Sequence, residues 1–408
     1  YRQAMYIAKE MKECGLNLVF APVVDVNTNP ENPIINIRSY GDDPLLVSSF
    51  GAAFVKGCQN EGVMSCAKHF PGHGSSALDS HVTLPSLVRS GEDLWKCDLI
   101  PFKRAIESGV GSVMLAHIAV PEVDSSGAPA TISPELIKGL LVRDLGFKGL
   151  IISDSFRMDA LAELGEVEDI VRRSILSGCN IILDPKEPVR LIEKLIEMVK
   201  TEKIPEPLLD SVVEKIIMAK KKWLEVEPYR GFVDEIYGKN LVNEIAHRSV
   251  CLLKGGALRS RRAMVYVLDV TQSGEDIAGP VVNCLAEAGI DYHKRPIAFR
   301  DEETYTPEKD SGGRAIICLI YTSPAAWKGH ASLPESFRVF LKRVSKLNCE
   351  KILVSFGSPY VVRGFEDFDT VLCAFDYLPA CQRALANVLL GRFEAQGKLP
   401  VKLYGVDV

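Results

Sequence analysis

The densest chemistry in the sequence lies between residues 68 and 81, where Lys68-His69-Phe70-Pro71-Gly72-His73-Gly74 is followed by Asp79-Ser80-His81. Four of the seven histidines, His69, His73, His81 and His117, fall within 49 residues, from 69 to 117. Histidine is the side chain whose ordinary titration range lies nearest neutral pH, so such a gathering points to proton transfer or metal binding. Asp79 and His81 stand two residues apart in a loop of about twenty residues, long enough to be functional. The carboxylate can accept the imidazole Nδ1–H, fix the tautomer and make the ring more basic. Nε2 is then left to donate a proton and later take one back. The plainer alternative is an Asx turn at Asp79, with His81 incidental. His69 and His73 have the spacing that binds zinc when both lie on one helical face. Pro71, Gly72 and Gly74 oppose a helix there, and the segment lacks the glutamate of a zinc protease. Strand-end histidines with Asp79 would still make a metal site on a barrel, so that reading stays open. A further group is Ile151-Ile152-Ser153-Asp154-Ser155-Phe156-Arg157-Met158. A carboxylate at the tip of an apolar strand is rigidly held and can attack an electrophilic carbon such as an anomeric centre.

The elements that must position these groups alternate. Short β-branched apolar runs read as buried strands: 18–26, 63–69, 112–117, 149–154 and 180–183. Stretches with helical spacing lie between and around them, at 3–14, 44–60, 91–108, 134–145, 167–178 and 188–200. Ser133-Pro134 offers a helix N-cap and a first-turn proline, and Gly15 and Gly178 stand where helices should stop. Continuous apolar strands alternating with helices imply a parallel sheet covered by helices. Asp25, Lys68-His69, His117 and Asp154 all fall at the C-terminal ends of strands, the active-site end of a barrel or of a doubly wound sheet. Five such strands precede residue 200, whereas a closed barrel has eight.

Residues 204–248 read as a helical, charged connector, with the lysine run Lys220–Lys222 as a solvated face. From 249 to 408 the alternation restarts. Strands are expected at 265–268, 315–321, 351–356 and 370–375, and helices at 277–289, 334–347 and 379–390. That pattern fits a three-layer αβα sandwich without a catalytic constellation of its own. A net charge of −5 without a basic stripe excludes a nucleic-acid binder, and no apolar run is long enough to cross a membrane. Eleven cysteines, an odd number with no C-x-x-C pair, suit buried thiols in a reducing compartment, hence a cytoplasmic protein.

Together these residues closely resemble glycoside hydrolase family 3, in its β-N-acetylglucosaminidase branch. Phe20-Ala21-Pro22-Val23-Val24-Asp25-Val26 looks like the family's third barrel strand, and Arg38-Ser39-Tyr40-Gly41-Asp42-Asp43-Pro44 like the following loop. Lys68–Gly74 with Asp79-Ser80-His81 matches its signature, and Ser153-Asp154 with Met158 its nucleophile strand. Gly391 and Gly397-Lys398-Leu399-Pro400-Val401 look like the end of the second domain. The resemblance implies a (β/α)₈ TIM-type barrel over residues 1–203, a connector over 204–248 and an αβα sandwich over 249–408. Family members carry two barrel strands before the point where this chain begins, at Tyr1, so the barrel is expected to be N-terminally incomplete. The second of those strands ends in an Asp-containing, Gly-rich stretch that helps bind the sugar. The implied reaction is retaining hydrolysis of terminal β-linked N-acetylglucosamine from a small glycan. Asp154 would be the nucleophile and His81, oriented by Asp79, the acid/base, while Arg38, Lys68 and His69 would bind sugar hydroxyls. No cofactor and no metal is implied. Ser155 stands where many members have a second aspartate, and little harm is expected from it. A neutral histidine as acid/base repels an anionic acceptor less than a carboxylate would, so water and phosphate both stay open as acceptors. A sugar-binding homologue without turnover and a metal-dependent barrel hydrolase are the other readings.

Overall fold

The computed structural model describes residues 1–76, 84–87, 89–224, 233–271, 276–297, 307, 313–323 and 333–403. Described residues up to Val233 form one compact unit and those from Asp234 onward a second.

In the first unit five strands lie side by side in chain order and all run parallel. They are β1 (Leu18–Val19), β2 (Met64–Phe70), β3 (Ser112–Leu115), β4 (Leu150–Ser155) and β5 (Ile181–Leu183). The helices of this unit are α1 (Arg2–Glu13), α2 (Pro44–Asn60), α3 (Gly91–Asp93), α4 (Leu99–Glu107), α5 (Val167–Ser177), α6 (Pro188–Lys200) and α7 (Glu206–Leu224). Side chains alternate between the two faces of the sheet. Val113, Leu115 and Ile151 pack against Phe102, Leu136 and Leu140. Met64, Met114 and Ile152 pack on the other face with Trp223 of α7. Both faces are dry, so the strands read as unbroken apolar runs. This is the barrel-type α/β arrangement expected, in which polar groups at the strand ends converge.

Three details differ from the sequence reading. The expected strand 18–26 pairs as a ladder only over Leu18–Val19. Beyond it the chain keeps beside β2 through one bridge, Val23 to Lys68. Pro22 in the middle has no N–H to give to a ladder. The expected helix 91–108 is α3 and α4 joined by a π-helical stretch, Leu94–Asp98. The wider turn falls just before Pro101, whose ring would crowd the carbonyl four residues back. Glu135–Asp144 is also π-helical, and it is capped as expected, with Ser133 Oγ accepting the Leu136 N–H at 3.1 Å.

The second unit is a six-stranded sheet in the order β6-β11-β10-β9-β7-β8. Its strands are β6 (Cys251–Lys254), β7 (Arg262–Asp269), β8 (Asp291–Ile297), β9 (Ala315–Tyr321), β10 (Lys351–Phe356) and β11 (Thr370–Ala374). Only β6 is antiparallel to its neighbour. Helices α8 (Glu235–Ser249), α9 (Gly279–Glu287) and α11 (Pro379–Leu389) cover one face, and α10 (Glu335–Ser345) covers the other. Val265 and Ile317 meet Leu285 and Leu385 on the first face. Met264 and Tyr266 meet Phe337 and Phe340 on the second. These are the three layers expected. β6 and β8 were absent from the sequence reading. β6 is four residues long, and β8 is an edge strand whose Lys294, Arg295 and Pro296 leave it without an apolar run. Within 204–248, α7 belongs with the first unit and α8 with the second.

Phe340 is buried against Tyr266, ring centroids 5.0 Å apart. Phe340→Ala is expected to cost about 3–5 kcal/mol, read as a lower urea midpoint for the second unit. A midpoint like that of the unaltered protein would contradict this packing.

Candidate active site

The site is built around a buried carboxylate. Asp25 lies where the chain leaves the edge of β2, fully shielded from solvent. Its Oδ2 is 2.8 Å from His69 Nδ1. The His69 backbone N–H donates to both oxygens, at 3.2 and 3.3 Å, and the His73 N–H donates to Oδ1 at 2.7 Å. Burial alone would push this carboxyl toward protonation. The two histidines outweigh burial, and Asp25 is held below the usual carboxylate range. His69 Nε2 faces Arg38 Nη2 at 3.4 Å. A guanidinium has only donors, so Nε2 accepts there and the ring proton sits on Nδ1, toward Asp25.

Beside this pair stands Lys68, half-buried on β2. Burial and the Arg38 charge push its pKa down, while Asp154 and Asp25 pull it up. The register between β2 and β3 shifts between Ala67 and Phe70, a bulge of the kind that re-aims side chains at strand ends. Asp154 lies near the tip of β4, with Oδ1 accepting the Ser155 N–H at 2.8 Å. Burial would raise its pKa. His69, His117, the Ser155 N–H and Lys68 together lower it instead, so Asp154 is a carboxylate at neutral pH. Ser155 Oγ donates to Asp184 Oδ2 at 3.0 Å, and Arg157 Nε to Asp184 Oδ1 at 2.8 Å.

Four of the six residues singled out from sequence therefore share one site: Asp154 with Lys68 and His69, and Arg38 against His69. Asp79 and His81 lie outside the described residues. The described residues on either side of 77–83 are held by hydrogen bonds. On one side Asn29 Nδ2 donates to the Ser76 carbonyl at 3.1 Å and Asn32 Nδ2 to the His73 carbonyl at 2.8 Å. On the other, Leu87 N–H donates to the Ala119 carbonyl at 2.8 Å, just beyond β3. Gly74 packs so closely that a Cβ there would lie 1.9 Å from the Val26 carbonyl oxygen. Gly72, at φ +129°, sits on Asp98, whose carboxyl burial pushes up to about 6 although Arg89 Nε is 3.3 Å away.

The sequence reading placed Asp25 and His117 at strand ends but gave them no task, and it missed Asn29, Asn32 and the Arg89–Asp98 pair. Asn29 and Asn32 each precede a proline, Pro30 and Pro33, a turn signature that hides a long-range role. The His69 and His73 rings lie 6.3 Å apart at 83°. Among the described residues no group of three or more His, Cys, Asp or Glu stands close enough to hold a metal ion.

An ionised carboxylate among cations and imidazoles, at the C-terminal ends of parallel strands, is the arrangement of a barrel-type hydrolase. Residues 1–219 match the family described as the glycosyl hydrolase family 3 N terminal domain, and the chain belongs to that family of glycoside hydrolases. It is 26% identical over 457 residues to a beta-hexosaminidase A of Pseudoalteromonas piscicida, covering 98% of this chain and 75% of that protein. It is 39% identical over 191 residues to a beta-hexosaminidase of Neisseria meningitidis serogroup C (strain 053442), covering 47% of this chain and 52% of that one. This match spans about half the length of the Neisseria relative. The solved glycoside hydrolase family 3 beta-N-acetylglucosaminidase from Paenibacillus sp. str. FPU-7 superposes with a TM-score of 0.85 at 28% identity, covering 100% of this chain and 80% of that one.

Burial pushes His73 down to about 4, against the pull of Asp25. Its folded pKa is below the unfolded value, so the unfolded chain takes up the proton first as pH falls from about 6.5 to 4. Stability on the order of 3 kcal/mol is lost across that window. Asp98, with its pKa raised, works the other way, contributing below its folded pKa and losing that contribution as pH rises from about 4 to 6. His73→Gln should therefore flatten the fall in first-unit stability between pH 7 and 4.5, measured by urea unfolding. An unchanged slope would contradict a neutral, buried His73.

Proposed function

We propose that this protein is a retaining exo-β-N-acetylglucosaminidase that removes terminal β-linked N-acetylglucosamine from small glycans such as cell-wall or chitin fragments. The observation that supports it most is the ionised Asp154 carboxylate, ringed by Lys68 and His69, in a chain whose relatives are named beta-hexosaminidases.

Asp154 attacks the anomeric carbon, and the bond from that carbon to the leaving oxygen breaks. His81, oriented by Asp79, gives its proton to the leaving oxygen. The glycosyl ester at Asp154 is then opened by water. His81 takes the proton of that water, Asp154 leaves as a carboxylate, and the β configuration returns. Lys68, His69 and Arg38 supply cationic and imidazole groups for the sugar hydroxyls. Phosphate in place of water would release the sugar 1-phosphate, which a product assay in phosphate buffer distinguishes from the free sugar.

The thiols support a reducing, cytoplasmic setting. Cys66, Cys179, Cys318 and Cys373 are buried free cysteines, and burial pushes the Cys66 thiol up to about 12. Among the described residues no helix is long and apolar enough to cross a membrane.

Asp154→Ala should lower release of p-nitrophenol from the N-acetyl-β-glucosaminide by at least about a thousand-fold, with the circular dichroism spectrum kept. Retained turnover would remove Asp154 from the nucleophile role. His81→Ala should hurt substrates with poor leaving groups far more than aryl glycosides carrying good ones. Equal losses on both would contradict His81 as the acid.

A further inference from the structure

Two cysteines of the second unit stand face to face. β6 runs antiparallel to β11, and the register sets Cys251 directly opposite Cys373. Successive strand residues point to opposite faces of a sheet. Leu372 packs on the face covered by α9 and α11, whereas Cys251 and Cys373 share the apolar cluster of the α10 face with Leu353 and Phe368. Both are free thiols, 1% and 0% exposed.

Directly opposed residues of an antiparallel pair have Cα atoms about 4.5 or about 5.5 Å apart, depending on the kind of pair they form. A disulfide spans Cα separations of about 4.4–6.8 Å. Either kind of pair therefore lies within reach of a bridge without a shift of the backbone. The other strand cysteines are paired differently. Cys66 stands opposite Ser112, and Cys318 between Tyr266 and Leu353.

The place of β6 in the sheet gives a reagent its way in. It is an edge strand of four residues, bonded through β11 alone. Its Leu252 and Lys254 already face solvent. Elements with few buried contacts open locally at lower free energy than core strands do. Burial pushes the Cys251 thiol up to about 11 and raises that of Cys373 as well. Neither is a thiolate while β6 is seated, so reaction waits on that opening.

We propose that Cys251 and Cys373 are a reversible thiol–disulfide site, which a small-molecule disulfide oxidises to a cross-strand bridge that pins β6 to β11. Cys251, on the edge strand, reacts first. It loses its proton to solvent, and its thiolate attacks one sulfur of the small disulfide. That S–S bond breaks, one small thiolate leaves, and a mixed disulfide remains on Cys251. Cys373 gives up its proton in turn and attacks the Cys251 sulfur, and the second small thiolate leaves. Two protein thiols are oxidised, one small disulfide is reduced to two small thiols, and the two protons end on those thiols. In a reducing setting the pair stays as two thiols. The bridge closes a loop that takes in most of the second unit, so it stabilises that unit chiefly by restricting the unfolded chain. It also fastens the strand that follows α8. No group of the proposed glycosidase chemistry takes part, and the inference stands apart from it.

The test incubates the full chain with excess oxidised glutathione, in mildly alkaline buffer and in urea below the unfolding transition. Alkylation and peptide mass spectrometry without reduction follow. The Cys251 and Cys373 peptides should appear joined, and dithiothreitol should separate them. Cys373→Ser should stop with glutathione on Cys251, and Cys251→Ser should leave Cys373 as a thiol. Oxidation should raise the urea midpoint of the second unit in the unaltered protein and leave it unchanged in Cys251→Ser. Both cysteines recovered as alkylated thiols, or bridges between other cysteines in their place, would overturn the proposal. If a serine variant does not fold, the alanine variant serves, and the peptide map of the unaltered protein decides by itself.

Discussion

Asp25 has no contact with solvent, yet its carboxylate accepts the N–H groups of His69 and His73 and the His69 ring. Every other feature of the site hangs on this knot. It ties the chain leaving β1 to the end of β2 and to the backbone at His73. A buried carboxylate without such donors would be protonated or would destabilise the fold by several kcal/mol. With them it becomes a fixed negative charge that orients His69 and, through its Nε2, receives Arg38. The glycines follow from the same closeness, since a side chain at 72 or 74 would strike Asp98 or the Val26 carbonyl.

Around the knot the charges are arranged before any substrate arrives. Asp25 and Asp154 are both held ionised although partly or wholly buried, and Lys68 feels the charges of both as well as that of Arg38. Preorganised charge in a site shielded from water acts more strongly than the same groups in solvent and needs no reorganisation during reaction. The parallel sheet supplies the rigidity. Lys68, His69 and Asp154 lie on strands whose two faces are both packed, and His117 follows a third such strand.

Much of this was legible in the sequence because the physics is local. Buried parallel strands announce themselves as apolar runs, and helix ends as Ser133, Gly15 and Gly178, the glycines at φ +73° and +114°. Asp154, Lys68 and His69 were legible as ionisable residues at strand tips. What escaped depends on pairing at a distance. Asn32 reaches His73 across 41 residues and Arg89 reaches Thr28 across 61, and nothing in either local sequence names the partner. β8 escaped because an exposed edge strand has no apolar run to show. The π-helical winding of Glu135–Asp144 escaped because its residue pattern also suits an ordinary helix.

In the proposed chemistry Asp154 is the carboxylate that receives the sugar. The most direct measurement traps it: incubate the protein with a slowly released fluorinated N-acetylglucosaminyl fluoride and map the adduct by peptide mass spectrometry. One sugar on the peptide that carries Asp154, with loss of activity in step, is the expected result. An adduct on a different carboxylate, or continued turnover to the inverted sugar with none, would contradict it.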